Sequence, residues 1–81
     1  MIGPAIRKFR YQKGLSQPQL VAKCQVIGWN ISRDILAAIE GQARRVTDAE
    51  IVLFAAVLRV SASLLLPDKK EALRHLRKEH R

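Results

Sequence analysis

Residues Ser16–Glu40 run SQPQLVAKCQVIGWNISRDILAAIE, and the reading of this stretch decides the fold. Ser16 has the chemistry of a helix N-cap, and Pro18 suits a first helical turn, where its missing N–H costs nothing. Leu20, Val21 and Cys24 then recur at the spacing of one buried helical face. Gly28 breaks the pattern inside an irregular stretch that holds Trp29 and Asn30. Ser32 caps a third helix, in which Leu36 and Ile39 face inward as far as Glu40. Two short amphipathic helices separated by a turn are therefore expected.

Working outward, the pattern stays helical, and no segment alternates long enough for a strand. A first helix opens near Gly3-Pro4, buries Ile2, Ile6 and Phe9, and stops at Gly14, a natural left-handed residue. Gly41 offers a stop after Glu40. Thr47-Asp48-Ala49-Glu50 has the spacing of a capping box, and EIVLFAAVLR follows, with Ile51, Phe54, Ala55 and Leu58 inward. Ser61 opens a fifth helix, SASLLL, stopped by Pro67. Asp68 and Glu71 repeat the capping spacing before KEALRHLRKEHR, with Leu73 and Leu76 on one side. So short and charged a helix is marginal without a surface to pack on.

The chain has 81 residues, enough for one core and no more. Nearly half of them (48%) are hydrophobic, so that core needs no disulfide or metal. A lone cysteine, Cys24, excludes a disulfide framework, and with His75 and His80 far away in sequence no metal site is expected. Cys24 reads as a small buried residue. No apolar run reaches bilayer length, and MIGPAIRKFR lacks the apolar core of a secretory signal. A cytoplasmic protein, bacterial or phage-encoded, is the expectation.

The formal net charge is +8, and the excess is not confined to the end of the chain. Residues 1–66 carry nine Lys and Arg against four acids, and residues 67–81 carry six against three. Such an excess suits a polyanionic partner, although solubility alone accounts for part of it. Two helices across a turn, a basic surface and supporting helices fit a helix-turn-helix reader of DNA.

Particular residues sharpen this. Arg10, Gly14-Leu15-Ser16-Gln17, Leu20, Ser32, Leu36, Ile39-Glu40, Ala55, Leu58, Val60 and Leu64-Leu65 occur in the order found in the Xre helix-turn-helix family, which includes the phage Cro and repressor proteins. Over roughly residues 4–66 the chain resembles that family. The resemblance implies a lambda-repressor-like, all-α bundle of five helices over residues 1–66, with residues 67–81 as a basic tail. It also implies an internal ion pair between Arg10 and Glu40, and a Gln17 that touches a DNA phosphate while bracing the recognition helix.

Base contacts fall to the exposed residues of the third helix. Arg33 can pair with guanine O6 and N7, Asp34 can accept from cytosine N4, and Ala37 and Ala38 let the helix approach thymine methyls. For Asp34 the alternatives are to orient Arg33 or to cap the helix. Ile35 is open between a methyl contact and packing on the turn. Gln17, Ser32, Arg44 and Arg45 are the expected phosphate contacts, which position the protein without reading sequence. Each is equally the kind of residue found on an ordinary solvated surface.

Two departures from the family stand out. The span from Ser16 to Glu40 is longer, with extra residues near Gln25–Trp29. Either the turn or the second helix is lengthened, and Trp29 packs on the core or lies against the DNA backbone. The glycine after Glu40 also comes one position early.

The reading is thus a small transcriptional regulator that binds a double-stranded operator as a homodimer, with SASLLLP and the Leu73/Leu76 side as dimer contacts. The alternative is an interaction module of the same fold, such as an antitoxin or bridging subunit. No nucleophile, base and oxyanion donors gather to suggest an enzyme. No cofactor, membrane or small-molecule ligand is implied.

Overall fold

The computed structural model describes residues 2–67 together with Lys70 and Leu73. Within residues 2–67 four α-helices follow in order: α1 (Ile2–Gln12), α2 (Gln17–Val26), α3 (Arg33–Glu40) and α4 (Asp48–Leu58). A 3-10 turn, Ala62–Leu64, comes after α4. No strand occurs among the described residues. α3 packs on α1 and α2, while α4 packs on α1, α2 and the 3-10 turn, so the elements share one core.

Side chains specify three of the helix starts. Ser16 Oγ accepts the Gln19 N–H at 3.2 Å, and Gln19 Oε1 accepts the Ser16 N–H at 2.8 Å. Gln19 thus completes a capping box of which the sequence reading saw only Ser16. Ser32 Oγ accepts the Ile35 N–H at 3.2 Å. Thr47 and Glu50 form the expected reciprocal box at the start of α4.

All four helix ends share one geometry. A left-handed residue follows each: Gly14 (φ 69°), Gly28 (φ 94°), Gln42 (φ 63°) and Arg59 (φ 57°). Its N–H reaches back three residues, and the next N–H reaches back five. After α2 these bonds run from Gly28 to the Gln25 carbonyl and from Trp29 to Cys24; after α3, from Gln42 to Ile39 and from Ala43 to Ala38. Two carbonyls orphaned at each helix end are satisfied in this way. Gly14 stops α1 as its residue type suggests. α3 stops at Glu40 with Gly41 as its C-cap, as expected, but Gly41 keeps an ordinary φ of −85° and it is Gln42 that turns left-handed. With α3 intact through Glu40, only that position returns N–H groups to Ile39 and Ala38.

The sealed interior comprises Ile6, Leu20, Cys24, Leu36, Ile39, Phe54, Leu58 and Leu65. Ile2 and Phe9, expected inside, sit at its margin. The residues around Gly28 are housed in two ways. α2 continues to Val26, and residues 27–32 then form the connection to α3. That connection is pinned to the core: Ile31 is buried, and Trp29 meets Phe54 edge-on with ring centroids 4.8 Å apart. Trp29 is therefore a packing residue of the connection.

The fifth helix is reduced to the 3-10 turn, held by Leu64 N–H to Ser61 and Leu65 N–H to Ala62. Ser61 makes no capping bond to the backbone; its hydroxyl lies 2.9 Å from that of Ser63 instead. Only Leu65 of SASLLL is buried, so there is no second apolar row to extend the turn into a helix. The expected helical tail lies outside the described residues, apart from Lys70 and Leu73, both exposed.

Gly3 has a role that a helix start does not require. A Cβ there would overlap the Ile39 carbonyl oxygen and come within 3.2 Å of the Glu40 oxygen, so α1 meets the end of α3 backbone to backbone. Gly3→Ala should therefore lower stability, by about 1–3 kcal/mol, as overpacking does. Arg59→Gly should raise it by about 0.5–1 kcal/mol, because glycine enters the left-handed region without Cβ strain. Urea denaturation of the two variants should move the midpoint in opposite directions.

Candidate nucleic-acid interface

Arg10 lies in the last turn of α1, and Glu40 is the last residue of α3. Arg10 Nε donates to Glu40 Oε2 at 2.7 Å, and Nη2 donates to Oε1 at 2.9 Å. The remaining nitrogen, Nη1, donates to the Leu15 carbonyl at 2.9 Å. Gln17 Nε2 adds a fourth bond, to Glu40 Oε1 at 3.2 Å. Arg10 and Glu40 are only 5% and 6% exposed. The Arg10–Glu40 pair thus ties together α1, the turn after it, the start of α2 and the end of α3. The hydrogen bond to Glu40 raises the Arg10 pKa further above its already high value. Among the described residues no buried side-chain nitrogen or oxygen lacks a partner.

The start of α2 offers fewer anion donors than a bare helix terminus. Pro18 has no N–H, and Ser16 occupies that of Gln19, which leaves the Gln17 N–H. Part of the Gln17 side-chain amide is committed to Glu40, so its bracing role is present in the structure.

α3 divides cleanly. Leu36, Ile39 and Glu40 are buried, whereas Arg33, Asp34 and Ala37 are exposed. Ala38 is half-buried because the following loop folds back, with its carbonyl accepting the N–H of Ala43 at 2.8 Å and of Arg44 at 3.2 Å. The side chains of Arg33 and Asp34 make no hydrogen bond or ion pair with any described residue. Asp34 therefore neither orients Arg33 nor caps the helix; Ser32 is the cap. Asp34 sits in the first turn, where the helix dipole favours a negative charge. Ile35 is 37% exposed and so not sealed against the turn. Ser32 uses an oxygen lone pair for the cap, which leaves its O–H to donate.

Arg44 and Arg45 follow in the loop, and only one is tied down. Arg44 grips Glu50 through both terminal nitrogens, at 3.1 and 2.9 Å. Glu50 also accepts the Thr47 N–H at 3.0 Å, so one carboxylate caps α4 and anchors the loop after α3. The Arg44 hydrogen bond holds the Glu50 carboxyl below its ordinary value of 4.5, against the opposing effect of burial. From the sequence Glu50 reads as a cap alone; its spacing from Arg44 fits no helical pair, so nothing local marks the second role. Arg45 is exposed.

No cluster of metal-ligating side chains exists among the described residues, and no described helix is long and apolar enough to cross a membrane. Burial pushes the Cys24 thiol up to about 11, which keeps it neutral and unreactive at ordinary pH.

Glu40→Gln should destabilise the domain by about 3–5 kcal/mol, because it leaves the Arg10 charge buried without its counter-ion. A double replacement, Arg10→Met with Glu40→Leu, should cost less than either single change in urea denaturation. Glu50 contributes stability above its ordinary, unfolded pKa of 4.5, and that contribution is lost as pH falls through the lower folded value. Arg44→Ala should shrink this acid-side loss, read as a smaller difference in melting temperature between pH 6 and pH 3.

No protein-family model matches the chain, and neither the curated proteins nor the solved structures compared with it show a match.

Proposed function

We propose that the chain is a sequence-specific DNA-binding domain of the helix-turn-helix class, with α3 as the helix that enters the major groove. The observation that carries this reading is the unpaired outer side of α3. Arg33, Asp34 and Ala37 stand exposed on a helix whose other side is locked into the core and whose end is fixed by Arg10 and Gln17. A reading helix needs that rigidity, because base-edge hydrogen bonds tolerate little displacement. In this reading Arg33 and Asp34 meet base edges, and Ala37 and Ala38 allow close approach. Gln17, Ser32, Arg44 and Arg45 meet phosphates, with Arg44 doing so only on its 40% exposed side chain. The lambda-repressor-like form of the fold belongs to the same proposal.

One short helix covers few base pairs, so a homodimer on a palindromic operator suits the affinity such regulators need. Leu64 and Leu66, 55% and 48% exposed at the end of the bundle, are the proposed contacts. In this reading the domain regulates transcription and catalyses no reaction.

The test is selection of bound sequences from random duplex DNA by the purified chain. Recovery of a palindromic motif is the expected result. On that motif Arg33→Ala should weaken binding by roughly tenfold or more, the worth of one bidentate base contact, while binding to random duplex falls much less. Equal losses on both would remove Arg33 from base reading. Recovery of no motif, with a stoichiometric protein complex captured instead, would favour the interaction-module alternative.

A further inference from the structure

An open groove of about 440 Å³ lies between α1 and the loop after α3, and neither Arg33 nor Asp34 lines it. Arg7, Lys8 and Tyr11 line it from α1, and Gly41 lines it from the loop. The proposed DNA contacts do not use these residues.

The groove presents donors. Arg7 and Lys8 are exposed cations one helical turn or less from Tyr11. Arg7 Nη2 donates to Tyr11 Oη at 3.4 Å, which leaves the Tyr11 proton free to donate outward and most of the Arg7 N–H groups free. The guanidinium carbons of Arg7 and Arg10 lie 5.5 and 4.6 Å from the Tyr11 ring centroid, so two cations attend the ring. Both arginines lower the Tyr11 pKa, Arg7 most, which makes the hydroxyl a better donor. Lys8 Nζ rests 5.7 Å from the Phe9 ring.

The carboxylate of the lining is already in use. Arg10 and Gln17 occupy both oxygens of Glu40, the one carboxylate in the lining. The carbonyls of Ala37, Ala38 and Ile39 at the end of α3 accept N–H groups from Gly41, Ala43 and Gln42 respectively. Those bonds damp the negative end of the α3 dipole, which would otherwise repel an anion. A concavity that offers two cations and a phenol donor, with its one carboxylate paired, is complementary to a tetrahedral oxyanion.

We infer that the groove of Arg7, Lys8, Tyr11 and Gly41 is a binding site for a phosphate group. Arg7 supplies a forked pair of donors, Lys8 a point charge, and Tyr11 a directional hydrogen bond. The shared chemistry is phosphate, from a nucleic-acid backbone or from a free phosphorylated small molecule.

Inorganic phosphate titrated into the full chain at low salt, followed by amide and arginine side-chain NMR, tests this. The expected result is a saturable shift of Arg7 and Gly41 resonances, with Arg33 unmoved. Arg7→Gln and Tyr11→Phe should each weaken it, Arg7→Gln by roughly tenfold. Both positions are exposed, and an unchanged thermal melt shows that the variants are folded. An equal response in an Arg7→Gln/Lys8→Gln double variant, or shifts that never saturate and scatter over every basic residue, would overturn the inference. A short duplex that competes with phosphate for these resonances assigns the site to nucleic-acid backbone. A duplex that binds while phosphate stays bound assigns it to a free phosphorylated molecule. Arg33→Ala separates this site from the proposed base reading, since phosphate binding should survive in that variant whatever happens to DNA binding.

Discussion

The buried Arg10–Glu40 pair is the constraint on which the arrangement depends. A buried carboxylate without a partner would cost several kcal/mol, so Glu40 tolerates its position only where α1 delivers the Arg10 fork. That requirement fixes where α1 ends, how closely it crosses α3 and where α2 begins. Gly3 follows from the same crossing: with the end of α3 drawn against α1, nothing larger than hydrogen fits beneath the Ile39 carbonyl. Replacing such a pair by apolar residues is often neutral for stability. Its value here is specificity of register, because two parallel hydrogen bonds admit one geometry where an apolar contact admits several.

A second regularity is the common way the helices end. Gly14 and Gly28 enter the left-handed region at no steric cost, whereas Gln42 and Arg59 do so against it. The non-glycine cases lie where the backbone bonds back to Ile39 and Ala38, and to Ala56 and Ala55, outweigh the strain. After α3 this has a structural return. The fold-back that satisfies the Ala38 carbonyl also brings Arg44 within reach of Glu50, so the loop is fixed at both ends.

Much of the organisation was legible because it rests on local chemistry. Ser16, Ser32 and Thr47 are caps wherever they stand before an amphipathic run, and Leu20, Cys24, Leu36 and Ile39 have the period of a buried face. The helix starts and most of the core follow from those features. The Arg10–Glu40 pair was reached through a family resemblance; two charges thirty residues apart carry no periodicity. The fifth helix was overread, since SASLLL has helical composition but one buried residue. The candidate site was partly legible: exposure of Arg33, Asp34 and Ala37 follows from helical period, whereas the Arg44 clamp does not.

By itself the sequence determined where helices begin, which faces turn inward and how much positive charge the surface carries, since these are set within a few residues or by composition. Only the tertiary structure decided that Gln42 rather than Gly41 makes the turn after α3, that Trp29 packs on Phe54, and that Gly3 admits a backbone. It alone brought Arg7, Lys8 and Tyr11 to one groove with the end of α3. Each of these depends on atoms from segments distant in the chain, and a hydrogen bond or a steric limit between such segments has no local signature.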